Sequence, residues 1–214
     1  MPDPRPLLLG HRGASRDAFE NTIAAFDLAL LHGCDGFEFD VRYTQDGRCV
    51  ICHNPRYRRR RIDRSRFCDL TLPCADDVIR KYGGRAYLDV ELKVPGDVRP
   101  ILAALQNAGD RYVISSFLPE VLQEVHKMDP GAPTGLICEN ALQLKRWSKL
   151  PIHGVMLHQR LAKPSLIDRL HDAKKQVFVW TVNRERNMRR LAGLGVDGLI
   201  SDDTQLLART LNQK

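Results

Sequence analysis

Short apolar runs alternate eight times with amphipathic helical segments along this chain of 214 residues. The predicted strands are Leu7–Gly10, Gly36–Val41, Ala86–Leu92, Tyr112–Ser115, Thr134–Cys138, Gly154–Leu157, Gln176–Thr181 and Gly198–Ile200. The predicted helices are Thr22–His32, Ala75–Tyr82, Val98–Asn107, Pro119–Lys127, Ala141–Trp147, Pro164–Ala173, Arg186–Ala192 and Thr204–Leu211. Regular strand–helix alternation is typical of a parallel sheet, because each helix returns the chain to the same end of the sheet.

Eight such repeats predict an α/β fold of the (β/α)8 TIM-barrel class, as a single domain over residues 1–214. The length is near the low end for a fold that averages about 250 residues, so most loops must be short and a helix or two only one turn long. The alternative is an open, doubly wound parallel sheet.

One segment, at about residues 43–74, interrupts the alternation. After the second strand, Asp46-Gly47 separates two apolar runs, and Asp-Gly in that position is a hairpin signal. We therefore predict a short hairpin, then an arginine-rich loop, before the second helix. This insertion includes His53.

Acidic residues occupy alternate positions within two of the predicted strands. Glu38 and Asp40 are two residues apart, and so are Asp89, Glu91 and Lys93 in the next barrel strand. Alternate side chains of a strand lie on one face, so each set faces the barrel interior. Buried like charges are costly without a partner, which predicts a metal ion and an anionic ligand here.

Several polar residues fall at the carboxyl ends of the predicted strands, or just beyond them. They are His11, Asp40, Lys93, Ser116 and Asp202. In a (β/α)8 barrel this end of the strands contains the active site.

The net charge of +7 is concentrated in one segment. Residues Arg56 to Arg66 include seven arginines and one acidic residue, Asp63. Without this segment the net charge of the chain would be about +1 by the same count. The segment is either a solvated surface or a contact for an anionic surface such as phospholipid headgroups. Nucleic acid is not expected as a partner, because only Tyr57 and Phe67 are available nearby for base stacking.

Six cysteines include a possible zinc pattern at Cys49, Cys52, Cys68 and Cys74. A strand over Cys49–Cys52 would place its two thiols on opposite faces, so we favour small buried hydrophobic residues instead. The opening residues do not resemble a signal peptide, and no apolar run approaches the roughly 20 residues of a membrane span. A soluble cytoplasmic protein with reduced thiols is expected.

A series of short motifs resembles, in the same order, those of the glycerophosphodiester phosphodiesterase family. In chain order they are His11-Arg12-Gly13, Glu20-Asn21-Thr22, Gly36-Phe37-Glu38-Phe39-Asp40-Val41, Thr44-Gln45-Asp46-Gly47, His53, Glu91-Leu92-Lys93, Ser115-Ser116-Phe117, Trp180-Thr181-Val182-Asn183 and Asp197-Gly198-Leu199-Ile200-Ser201-Asp202. Each motif alone has little specificity, whereas their common order along nearly the whole chain is highly specific.

The resemblance implies a (β/α)8 enzyme that releases glycerol 3-phosphate and an alcohol from a small glycerophosphodiester, with a divalent cation. It implies that His11 and His53 are the general acid/base pair, that Glu38, Asp40 and Glu91 bind the metal, that Arg12 and Lys93 contact the phosphate, and that Trp180 lines the substrate site. Oxygen ligands alone favour Mg²⁺ or Ca²⁺ over zinc. The ordinary histidine pKa of about 6.5 suits proton transfer near neutral pH.

The chain departs from the family pattern around His53. Asn54 stands where the family usually has aspartate, and Arg60 and Arg61 replace threonines. These departures leave two alternatives open. One is phospholipase D-like hydrolysis of lysophospholipids, and the other is a non-catalytic barrel that binds phosphate or a membrane.

Overall fold

Eight parallel strands pair side by side until the first meets the last, and helices cover the outside. The computed structural model describes residues 5–106 and 108–212. The strands are β1 (Leu7–Gly10), β2 (Gly36–Tyr43), β3 (Cys49–Ile51), β4 (Arg56–Tyr57), β5 (Arg60–Arg61), β6 (Tyr87–Leu92), β7 (Tyr112–Ser116), β8 (Thr134–Cys138), β9 (Gly154–His158), β10 (Gln176–Trp180) and β11 (Gly198–Ser201). The helices are α1 (Ile23–Leu31), α2 (Ala75–Tyr82), α3 (Arg99–Leu105), α4 (Pro119–Met128), α5 (Ala141–Leu144), α6 (Pro164–Asp172), α7 (Glu185–Gly193) and α8 (Thr204–Leu211).

Strand β1 closes the barrel because it pairs on one side with β11 and on the other with β2. The order around the barrel is β1, β2, β6, β7, β8, β9, β10 and β11, and all these pairings are parallel. The predicted (β/α)8 barrel is confirmed, and the open doubly wound sheet is wrong.

The helix boundaries agree with prediction to within two residues, with one exception. The segment predicted as a helix over Ala141–Trp147 forms a single turn, α5, followed by a 3₁₀ turn at Trp147–Lys149. The predicted end of the third helix, Asn107, lies outside the described residues, and α3 ends at Leu105. Across the described ranges, no helix combines the length and apolar character that crossing a membrane would need.

The two faces of β2 divide as its alternation predicts. Phe37 and Phe39 point outward into an aromatic cluster with Phe26 and Tyr82, and the Phe26 and Phe37 rings stack with centroids 4.2 Å apart. A β-carbon at Gly36 would collide with the backbone of Tyr87, so only glycine allows β2 and β6 to pair this closely. The opposite face of β2 directs its acidic residues into the barrel.

The insertion after β2 is confirmed and contains more regular structure than predicted. Strand β3 pairs antiparallel with the end of β2, and Gly47 takes the turn with φ +76°. The arginine-rich segment, predicted to be a loop, forms a second hairpin from β4 and β5. Tyr57 holds this hairpin in place by packing on a small cluster formed by Val50, Ile62 and Leu70.

Candidate active site

His11 lies directly after β1, at the carboxyl end of the barrel. Its backbone N–H donates to the carbonyl of Ser201, 2.8 Å away, which ties the residue to the end of β11. Its Nδ1 lies 2.6 Å from Asp202 Oδ1, and its Nε2 lies 4.0 Å from Glu38 Oε2. An ionised carboxylate can only accept, so Nδ1 carries a proton and Nε2 is directed towards the interior acidic residues.

Sequence analysis placed Asp202 at the carboxyl end of a strand but assigned no role to it, and the structure makes it a functional candidate. Burial raises its pKa, but hydrogen bonds from His11, Asn183 and Ser15 outweigh burial and lower the pKa to about 2. The carboxylate is therefore charged at any pH at which the protein would work. It fixes the orientation of the His11 ring across 191 positions of sequence.

Arg12 adopts a left-handed backbone conformation, with φ +57°. This conformation is costly for a residue other than glycine, and such strain is found mainly at functional sites. It directs the Arg12 N–H to Glu38 Oε2 at 2.9 Å, while the side chain lies between Glu20, 2.8 Å from Nη1, and Asp40, 3.1 Å from Nε. The His11-Arg12-Gly13 turn thus supplies both a backbone donor and a guanidinium to the acidic strands.

Asn21 holds Asp40 through two hydrogen bonds. Its Nδ2 donates to Asp40 Oδ2 at 2.8 Å, and its Oδ1 accepts from the Asp40 backbone N–H at 3.2 Å. Burial raises the pKa of Asp40, but the cations of Lys93 and Arg12 outweigh burial and lower it. Sequence reasoning assigned no role to Asn21 or Glu20, although both belong to a motif before α1.

Three carboxylates converge inside the barrel. The register pairs Asp40 on β2 with Glu91 on β6, and Glu38 lies two residues before Asp40 on the same face. Their ligand atoms all lie within 4.8 Å of one another. Glu38 is 3% exposed, Asp40 0% and Glu91 7%. Glu38 Oε1 has no hydrogen-bond partner among the residues described.

These carboxylates fit a divalent cation. Burial and repulsion from the neighbouring carboxylates raise the pKa of Glu38 well above its ordinary value, and burial raises that of Glu91. Burial also raises the pKa of Asp89, which pairs with Glu38 in the register, to about 7, although Ser115 donates a hydrogen bond to it. A buried oxygen without a donor, and two buried carboxyl groups whose pKa values are raised beside the ionised Asp40, are what a hard cation would satisfy.

Lys93 follows β6 and neutralises part of this charge. Its Nζ lies 2.6 Å from Glu91 Oε1 and 3.2 Å from Asp40 Oδ1. Burial lowers its pKa, but Glu91 and Asp40 outweigh burial and raise the pKa. Lys93 therefore remains an ammonium at the floor of the site.

His53 reaches the site from the insertion. Its carbonyl accepts from the guanidinium of Arg42 at 2.7 and 3.0 Å, which fixes the backbone, while no hydrogen bond to its ring occurs within the described ranges. Burial lowers the pKa of the His53 ring. Asn54, the next residue, is exposed, whereas the His11 ring is bonded to Asp202, so the two histidines are held unequally.

The predicted site residues meet around one cavity of about 210 Å³. Seven of the eight line it: His11, Arg12, Glu38, His53, Glu91, Lys93 and Trp180. The eighth, Asp40, is fully buried beneath them. Trp180 forms a wall, with Nε1 bonded to the carbonyl of Met156 at 2.9 Å. A larger cavity of about 600 Å³, lined by the first residues of β6 and β7, lies at the other end of the strands and contains none of the eight.

The possible cysteine zinc site is not formed. The one cluster of potential metal ligands within residues 5–106 and 108–212 is the acidic trio, and it includes no cysteine. Cys49 and Cys74 are buried, as predicted for small hydrophobic residues, whereas Cys52 is partly buried and the prediction is wrong for Cys68, which is exposed.

Comparison with known proteins gives matches along almost the whole chain. The model of the glycerophosphoryl diester phosphodiesterase family matches residues 11–73 and 80–206. A glycerophosphodiester phosphodiesterase of Caldanaerobacter subterraneus subsp. tengcongensis is 30% identical, over 95% of this chain and 96% of that protein. An Oleispira antarctica phosphodiesterase, solved with the product sn-glycerol-3-phosphate, has the same fold with a TM-score of 0.85, 24% identity and 96% of each chain covered. A glycerophosphodiester phosphodiesterase from Agrobacterium tumefaciens gives a TM-score of 0.84 at 24% identity, over 95% of this chain and 99% of that one.

Proposed function

Because the chain belongs to the glycerophosphoryl diester phosphodiesterase family, we propose that it hydrolyses glycerophosphodiesters with His11 and His53 as its proton-transfer pair. The enzyme is a phosphoric diester hydrolase whose substrates are small glycerophosphodiesters, and the products are glycerol 3-phosphate and an alcohol. The observation that carries the proposal is the single cavity in which both imidazoles, two cations and two members of the acidic trio meet.

Arg12 and Lys93 would bind the phosphate. A phosphodiester is an anion, and attack at phosphorus adds charge to its oxygens. Both cations line the cavity, and their buried carboxylate partners hold them in place before substrate arrives. Such preorganised charges stabilise the transition state more than mobile surface charges do.

Hydrolysis needs one proton removed from the nucleophile and one given to the leaving oxygen. His11 and His53 both line the cavity, so each can reach an oxygen of a phosphate bound there. Asp202 would act as a positioning residue, because it keeps a proton on Nδ1 of His11 and leaves Nε2 for substrate.

Glu38, Asp40 and Glu91 would hold a divalent cation, Mg²⁺ or Ca²⁺ by the chemistry of the donors. When bound, the cation would supply a Lewis acid that draws charge from the phosphate oxygens. The chain's own contribution is to keep three oxygens within reach of one another, with Asn21 orienting Asp40.

A release assay with glycerophosphocholine and glycerophosphoethanolamine, in Mg²⁺, Ca²⁺ or excess EDTA, tests this proposal. We expect alcohol release that stops on chelation, and a fall of about 10²-fold or more in kcat for His11→Ala and His53→Ala. Activity that survives exhaustive chelation would refute the metal assignment, and wild-type rates in either histidine variant would refute the acid/base pair. Lysophosphatidylcholine in the same assay tests the phospholipase D-like alternative.

We also propose that the segment Arg56–Arg66 contacts an anionic membrane surface. Six of its seven arginines have no salt bridge to a carboxylate anywhere in the described ranges; Arg61 is bound by Asp63. The segment follows His53 directly, so such contact would bring the site entrance to a lipid surface. A cytoplasmic location stays a prediction, which cell fractionation would test.

A further inference from the structure

We propose that a groove beside the active site binds the alcohol part of the substrate, and that Arg56 and Arg58 select alcohols bearing a second phosphate group. The inference rests on the proposed function and adds a substrate class to it. The groove has a volume of about 500 Å³ and lies between the segment before α1 and the insertion.

The groove and the catalytic cavity meet at His53, which lines both. The catalytic cavity, at about 210 Å³, is the smaller of the two and suits the phosphate with its three-carbon glycerol. A diester bound at Arg12 and Lys93 has a second ester substituent, and the groove on the insertion side of the cavity shares His53 with it. The alcohol esterified to glycerol 3-phosphate would therefore lie in the groove.

Arg56 and Arg58 of the arginine hairpin, which β4 and β5 form, line this groove, and each contacts a neighbouring residue. The Arg58 guanidinium lies over the Tyr57 ring, 5.3 Å from its centroid, and Arg56 Nη1 donates to the carbonyl of Arg59 at 3.4 Å. Tyr57 OH is 2.8 Å from Thr71 Oγ1, so the hairpin is tied to the opposite side of the insertion. Fixed cations lose less conformational entropy on binding than free side chains do.

The groove has positive charge that no protein group neutralises. Neither Arg56 nor Arg58 forms a salt bridge with any described residue, and Glu20 is the one carboxylate lining the groove. Glu20 is already bonded to Arg12 at 2.8 Å. The guanidinium fork matches the geometry of a phosphate, whereas a choline cation in the same place would be repelled.

Apolar walls strengthen this selection. Phe19, which is 80% exposed, stands on one side, and Leu72 and Pro73 form part of the other. An alcohol seated between them displaces water, and the attraction between guanidinium and phosphate grows as the local dielectric constant falls.

The matched substrates glycerophosphoinositol and glycerophosphoinositol 4-phosphate differ only by one phosphate on the alcohol. We expect the wild-type enzyme, with its divalent cation, to favour the phosphorylated substrate by about tenfold in kcat/KM, mainly through KM. The double variant R56Q/R58Q should bring this ratio close to one. R56K/R58K, which keeps the charges, should retain most of the preference and so shows that the hairpin is intact.

The control is R59Q/R60Q, which removes the same charge from the same hairpin at positions that do not line the groove. We expect it to keep the wild-type preference. A wild-type ratio near one, or an equal loss of preference in R59Q/R60Q and R56Q/R58Q, would overturn the inference while hydrolysis of both substrates still upholds the proposed function. Failure to hydrolyse all three of glycerophosphoinositol, its 4-phosphate and glycerophosphocholine would instead contradict the proposed function itself.

Discussion

Replacing Asp202 by asparagine tests whether one carboxylate governs His11. The substitution keeps the size of the side chain but removes the charge 2.6 Å from Nδ1. Asparagine can also present its N–H₂ to the ring and stabilise the wrong tautomer. Both changes act on His11 and leave the acidic trio in place.

The magnitude follows from the pKa of Asp202, about 2 against an ordinary 3.8. At 1.36 kcal/mol per pKa unit this difference corresponds to about 2.4 kcal/mol. Because 35% of the side chain is exposed, solvent screening reduces the value to about 1 kcal/mol, shared among three donors. Since the folded-state pKa is lowered, this stability is present above pH 3.8 and is lost as pH falls towards 2.

For catalysis we expect Asp202→Asn to lower kcat by about 10²-fold, because a misoriented acid/base group loses most of its contribution. Steady-state alcohol release measures the effect.

The matched control is Asp203→Asn, the adjacent residue with the same change of charge. Asp203 caps α8 through Leu206 N–H and pairs with Arg16, but does not contact His11. Asparagine is also a good N-cap, so this variant should keep kcat near wild type. If the two variants behave alike, the pairing of Asp202 with His11 does not control the chemistry.

Three further predictions concern the metal, its support and the basic surface. Glu38→Gln should stabilise the metal-free protein by about 1–3 kcal/mol at neutral pH. The pKa of Glu38 is raised in the folded state, so above the unfolded pKa the buried carboxyl group destabilises the fold. Thermal melts should show that Mg²⁺ raises the Tm of the wild type only, and equal responses of the two proteins to Mg²⁺ would contradict this. Asn21→Gly keeps the left-handed backbone at φ +60° but removes both hydrogen bonds to Asp40, so metal affinity measured by calorimetry should fall about 10–100-fold. Asn21→Ala should lose stability as well, because alanine does not favour this backbone conformation. Unchanged affinity in the glycine variant would show that Asn21 does not support the site. Neutralising Arg58 to Arg61 should abolish salt-sensitive co-sedimentation with anionic vesicles, and an absence of such binding in the wild type would end the membrane proposal.

Much of the arrangement of the candidate site could be predicted because its signals are local. Strand alternation alone placed Glu38 and Asp40 on one face and Phe37 and Phe39 on the other, as the structure confirms. The role of Asn21 could not be predicted in this way. Asn21 lies outside any helix or strand, has a left-handed backbone, and contacts Asp40 on a strand 19 positions away. The arginine hairpin was predicted as a loop because its sequence is highly charged; in the structure its strands pair and Tyr57 packs on the insertion.

The sequence by itself determined the eightfold strand–helix alternation, the inward face of each acidic strand and the side chains available for chemistry. All three follow from the two-residue period of a strand and from residue type, which act over a few positions. The tertiary structure alone decided that β11 closes on β1, and so that Asp202 meets His11. It also decided that a groove opens beyond His53 between two segments that are distant in sequence. The pairing of the first strand with the last, and the cavities between loops, depend on contacts between residues that are distant in sequence, which no local pattern specifies.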